Sequence, residues 1–206
     1  MDEVNVLVER SRSDATIVCS VALMAVSAAF GESSGNDLLS YMKEDGTMSE
    51  RASKFATQIA QTANDAIATV EGCSDEQWKA ITTAEQWPVA VVACHLADLH
   101  DVFFQLIDAA KSNKSSLFEL TQEDIDAVNA DRARTRADVS KTEIIGRRRD
   151  TGPRLSALVA GLSDQELELV VGAISGYDLT IASFAELAVV GHYREHLASI
   201  RSAIGN

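Results

Sequence analysis

The chain has only 2 prolines and 5% aromatic residues in 206, while Ala, Leu, Glu and Asp abound, so helices are favoured over strands from the outset. Cysteine is also sparse. Cys19, Cys73 and Cys94 make an odd number in a chain large enough to fold without staples, and they read as reduced thiols in a cytoplasmic protein. Basic residues are outnumbered by acidic ones, 18 to 31, for a net charge of −13. That deficit argues against a nucleic-acid partner gripped through its phosphates, and equally against docking on an anionic membrane. The remaining composition, 46% hydrophobic and 24% charged, is that of a folded globular protein rather than a disordered one.

Residues 1–47 contain one apolar stretch, Ala15 to Phe30, which is shorter than the roughly 20 residues a membrane span needs. As a secretory signal it has a suitable length, but Asp2, Glu3, Glu9 and Asp14 give its leading segment the wrong charge. As a helix packed on the rest of the protein it lacks a clear polar face. A fourth reading sets residues 1–47 apart from the natural protein. Met48-Ser49-Glu50-Arg51 opens an amphipathic helix, and Lys43-Glu44-Asp45 is encodable by a bacterial ribosome-binding sequence at a workable distance before it. The expectation is therefore an N-terminal extension over 1–47, not natively translated, and a helical domain over 48–206. From Met48 onward, 15 basic and 23 acidic residues still leave a net charge of −8.

From Ser49 to Val70, Phe55, Ile59, Ala63, Ala66, Ile67 and Val70 recur at helical spacing, and Gly72 ends the run. Ser74-Asp75-Glu76-Gln77 is a capping-box pattern for a short helix around Trp78. Trp87-Pro88 begins a second long helix that runs through Val92, Leu96, Leu99, Phe103 and Ile107 to about Ala110. Lys111 to Ser116 reads as a loop. Leu117 to Val139 reads as a charged helix with a narrow stripe of Leu120, Ile125, Val128 and Ala133. Ser140-Lys141-Thr142-Glu143 caps a helix that Pro153 should kink or break, and Ser163 to Glu166 caps a short one. Gly172 to Asp178 reads as a loop, and Ser183 to Glu186 as the cap of a last helix through Leu187, Val190, Leu197 and Ile200. With no convincing strand, the expected architecture is all-α: a four-helix bundle with short connecting helices.

All four histidines lie in two of these helices. His192 and His196 are spaced i, i+4, so both imidazoles leave one face a turn apart and can chelate one ion. His95, set among Val91, Val92, Leu96 and Leu99, faces into or beside the core, where it can meet that pair. Three imidazoles with open positions for water or substrate describe a reactive metal rather than a closed structural one. Against this stands the common use of a core histidine as a packing residue, and the frequency with which HxxxH arises by chance. His100, about 140° around the helix from His95, is expected at the surface or at an edge.

The stretch from Trp78 through Trp87-Pro-Val-Ala-Val-Val-Ala-Cys-His95-Leu-Ala-Asp98, followed by His192-Tyr-Arg-Glu-His196-Leu, resembles the DinB/YfiT-like superfamily of four-helix bundles over residues 50–204. The resemblance implies a DinB-like bundle holding a divalent metal ion, commonly zinc or nickel, on one histidine of the second helix and two of the last. Here those positions are His95, His192 and His196. It further implies a metal-dependent enzyme acting on a small-molecule substrate. Several relatives are S-transferases or isomerases that use a low-molecular-weight thiol such as bacillithiol or mycothiol. A non-catalytic metal-binding or dimerising module, in which the chain forms a homodimer, is the alternative.

A divalent ion among three neutral imidazoles keeps its full charge and makes a thiolate or hydroxide available at neutral pH. Asp98, one turn from His95, either orients an imidazole or serves as a salt-bridge partner on a solvated face. Tyr193 and Glu195 turn away from the shared face of the histidine pair, and Cys94 reads as a small packing residue. Arg132, Arg134 and Arg136 with Arg147-Arg148-Arg149 are the basic clusters; they suit an anionic cosubstrate, but solvated faces offsetting nearby acids are the favoured reading. His192 to His196 also fits H-x-x-E-H of inverted zinc peptidases, yet no Asp or Glu follows His196 to complete such a site. A di-iron site is excluded, because Val92, Ala97, Val189 and Tyr193 stand where Glu-x-x-His needs glutamates.

Overall fold

The structure is a computed structural model that describes residues 49–112 and 118–205. The expected division at Met48, the stretch from Ala15 to Phe30, Cys19, and residues 113–117 of the expected loop and helix lie outside the described residues.

Four long helical segments form the frame, as the periodicity predicts. Helix α1 (Glu50–Glu71) starts where Ser49 Oγ accepts the backbone N–H of Ala52 and ends at Gly72, whose N–H returns to Ala68 O. Its stripe of Ala52, Phe55, Ile59, Ala63, Ala66 and Val70 is buried. Short helix α2 (Asp75–Lys79) has the capping box of Ser74 and Gln77, and Trp78 is buried under it with Nε1 donating to Val139 O at 2.9 Å. Helix α3 (Val89–Lys111) follows Pro88 and is the central element, with 16 of its 23 residues buried. It is long and apolar enough to cross a membrane by composition, but 78% of its apolar window is buried inside the protein.

Helix α4 (Gln122–Thr135) is capped by Thr121 and Asp124, and α5 (Lys141–Ala160) by Ser140. Of the apolar stripe expected here, Leu120 is buried but belongs to a strand, Val128 and Ala133 are half-buried, and among the described side chains of α4 the buried one is Arg132. Pro153 does not break α5, which runs through it. The residue is exposed, so the helix loses its bond on the side where water can satisfy the freed carbonyl. Gly152 lets α5 approach α1 closely, since a Cβ there would stand 3.0 Å from Ala63 Cβ.

Between the short helix α6 (Asp164–Leu167) and the last helices, the expected loop is a β-hairpin, β2 (Val170–Ile174) and β3 (Tyr177–Thr180). Ser175 and Gly176, with φ of 49° and 80°, make the two-residue turn with positive φ at both positions that matches strand twist. Strand β1 (Phe118–Leu120), where a helix was expected, pairs parallel with β2, so β2 is the centre of a three-stranded sheet. Leu120, Val171, Ile174 and Leu179 join the helical core from it. The last segment also begins earlier than expected. Its cap is Thr180, with Ser183 as the third residue of the capping box rather than the cap. Helix α7 (Ile181–Phe184) passes into a π-helical stretch over Ala185–Gly191 and then into α8 (His192–Ile204), which the left-handed Gly205 ends. The fold remains all-α in class, with the small sheet at one connection.

Candidate metal centre

The π-helical stretch ends immediately before His192, and such wider turns shift the phase of everything that follows them. From α8, His192 and His196 are turned inward, 3% and 5% exposed, toward His95 of α3, which is fully buried. His192 Nε2 lies 3.1 Å from His95 Nε2 and 2.7 Å from His196 Nε2. One potential ligand atom from each of the three falls within 4.8 Å of the others. The three rings stand nearly perpendicular or steeply inclined, with centroids 4.0 to 5.4 Å apart, so their edges rather than their faces converge.

The protonation state follows from the surroundings. His196 Nδ1 donates to Glu85 Oε1 at 2.6 Å, which turns Nε2 toward His192. Burial would push the Glu85 carboxyl up, but hydrogen bonds from His196, Ser199 and Thr82 outweigh it and hold the group down at about 2. Desolvation pushes His95 and His192 well below the ordinary imidazole value, with Arg132 adding to the effect on both. Both are therefore neutral at pH 7, and the Nδ1 atoms of both are buried without a hydrogen bond. Three imidazole nitrogens converging from two helices form a donor set that could hold a divalent cation. For a metal–nitrogen distance near 2 Å, nitrogens stand about 2.9 to 3.3 Å apart between octahedral and tetrahedral angles. The observed contacts fit a divalent ion with small outward movements of the rings.

Glu85 carries no signal in the sequence, being 111 residues from His196. It sits in a tight segment closed by the Ile81–Pro88 bridge, with Thr82 N donating to Trp87 O at 2.8 Å and Gln86 in the left-handed region. Asp98 does not touch an imidazole. It pairs with Arg147 Nη2 at 2.7 Å and stands 3.5 Å from Arg132 Nε, so its role is that of the salt-bridge partner. Cys94 is buried, and its thiol is pushed up by burial and by Asp98, in keeping with a packing residue.

Two expectations are overturned. His100 is fully buried rather than at an edge, because α3 is enclosed on nearly every side. Its Nδ1 meets Thr151 Oγ1 at 3.2 Å and its Nε2 accepts from Arg148 Nη1 at 3.0 Å, while its ring stacks near Tyr193. Arg132 and Arg148 do not lie on solvated faces, each being 1% exposed. Arg148 rests on the Tyr193 ring, 4.5 Å from its centroid.

A family model described as the DinB superfamily matches residues 58–200, more than half of the chain. No curated protein matches the chain, and no solved structure does. The chain belongs to the DinB superfamily.

Proposed function

From membership of that superfamily, we propose that the protein is a metal-dependent enzyme whose His95, His192 and His196 hold one divalent ion, zinc or nickel, and which acts on a small-molecule substrate. When bound, such an ion supplies the positive charge that turns a thiol or water into a nucleophile at neutral pH. The observation that carries the reading is the convergence of three buried histidines from two helices, one of them oriented by Glu85. The chain's own part is to keep His95 and His192 neutral by burial and to orient His196 through Glu85. The reaction class we favour is S-transfer, in which a low-molecular-weight thiol loses its proton and its sulfur attacks an electrophilic carbon, expelling a leaving group. A thiol-conjugation assay with and without a chelator tests this. Turnover that chelation abolishes and added zinc or nickel restores supports it; turnover indifferent to chelation, or absent in metal-loaded protein across a panel of thiols, favours the alternative of a non-catalytic metal-binding or dimerising module.

A further inference from the structure

Arg132 is a guanidinium buried to 1% exposure whose Nε, Nη1 and Nη2 all lack a hydrogen-bond partner. Its nearest carboxylate, Asp98, offers Oδ2 to Nε at an ion-pair distance of 3.5 Å, while Oδ1 is taken by Arg147. Asp98 thus divides its charge between two arginines, and Arg147 also draws on Asp101 at 2.6 Å. A buried cation left short of donors' partners is expensive for folding, and such groups persist where a ligand completes them. Arg148, the other buried arginine, differs in having His100 and the Tyr193 ring as partners.

The position of Arg132 is as telling as its isolation. It reaches Asp98, which stands one helical turn from His95 on α3, so its charge lies on the side of α3 that carries that histidine. One turn earlier on the same face of α4, Asn129 Oδ1 is also buried without a hydrogen bond. Helix α4 therefore presents two unpartnered polar groups on one face. Adding a divalent ion at the three histidines increases the excess of positive charge, and the interior then calls for an anion.

Resting on the reading of the cluster as a divalent-ion site, we propose that Arg132 binds the carboxylate of the small molecule that reacts there, with Asn129 beside it accepting a hydrogen bond from the same molecule. A planar guanidinium fork matches a carboxylate through two parallel hydrogen bonds, and a single buried cation matches a monoanion better than a phosphate dianion. The proposal restricts the thiol or its electrophile to carboxylate-bearing compounds.

The test uses the full chain with matched probes. In cobalt-loaded protein, thiolate charge-transfer absorption follows the binding of 3-mercaptopropionate and of 3-mercaptopropionamide, which differ only in the carboxylate. The acid is expected to bind at least roughly tenfold more tightly, as one charge-assisted pair allows. In Arg132→Met the two are expected to bind alike, with unchanged metal content; Arg132→Lys, which keeps the charge and loses the fork, should fall between and serves if the methionine variant does not fold. In metal-free protein, propionate should shift the Arg132 Nε–H resonance while propionamide does not and inorganic phosphate does so less. Equal binding of the two thiols by the natural chain, a preference that survives Arg132→Met, or an equal response to phosphate would overturn the proposal. A protein that takes up no divalent ion but shows the propionate shift at Arg132 would remove the metal reading and leave this one standing.

Discussion

The two ring nitrogens of His196 have opposite tasks. Nδ1 donates a hydrogen bond to Glu85, and that single bond orients the ring so that Nε2 faces His192. Outer partners of this kind typically change metal affinity by about 10–100-fold. Glu85→Ala is accordingly expected to weaken zinc binding by about that factor, read by competition with a chromogenic chelator, whereas Glu85→Gln, which retains an acceptor oxygen, should lose less. An affinity unchanged in Glu85→Ala would mean that the ring is held by packing alone. At this scale the three histidines were legible from spacing and from the apolar neighbours of His95, because a helix converts sequence distance into a face. Glu85, His100, Arg132 and Arg148 were not. Their roles depend on which elements pack together, and charged or imidazole side chains on an amphipathic pattern read as exposed unless the tertiary partner is known.

Elements were legible where local chemistry specifies them. Ser74, Ser140 and Ser163 cap helices as their spacing to Gln77, Glu143 and Glu166 predicts, because each hydroxyl bonds an N–H that the first turn leaves free. The hairpin escaped detection because its strands span only five and four residues and alternate poorly, although Ser175-Gly176 was a usable turn signal. The π-helical stretch over Ala185–Gly191 leaves no trace in a 3.6-residue period at all. The close approach of α1 and α5 gives an element-level prediction. Gly152→Ala brings a methyl to 3.0 Å from Ala63 Cβ, and its overpacking cost of about 1–3 kcal/mol, less the gain of about 0.5–1 kcal/mol in helix propensity, is expected to leave a net loss of up to about 2 kcal/mol in denaturant melts. Gly146→Ala, six residues earlier on the exposed face of α5 with nothing within 4 Å, should instead stabilise it by about 0.5–1 kcal/mol. Equal effects of the two would show that helix propensity, not interhelical contact, governs both sites.

At the scale of the whole molecule, the interior holds ionisable groups whose states differ between folded and unfolded chains. His95, His100 and His192 are pushed well below the ordinary value of 6.5 by burial. Unfolded, they bind protons below about pH 6.5; folded, they do not, so the unfolded state gains protons and stability falls with decreasing pH. Metal-free protein should therefore keep its full stability above about pH 6.5 and lose it below, with a slope of about 1.4 kcal/mol per pH unit for each histidine that stays neutral. Glu85, held at about 2 against an ordinary 4.5, adds a second loss as pH falls through that interval. Urea melts across pH 2 to 8 measure both. A flat profile would mean that the histidines are protonated in the folded protein, with an anion or an opened interior to receive the charge.

The same interior decides whether the bundle is a metal protein. Three imidazoles that crowd one point should take up a divalent ion from the medium and release it only when the rings are removed. Elemental analysis of the untagged protein purified from cells is the direct measurement, made alongside a His192→Ala/His196→Ala variant that circular dichroism shows to be folded. One zinc or nickel ion per chain in the natural protein and none in the variant is the expected result. A natural protein with no ion above background after incubation with both metals, or a variant that retains its ion, would contradict the assignment of His95, His192 and His196 as a metal centre.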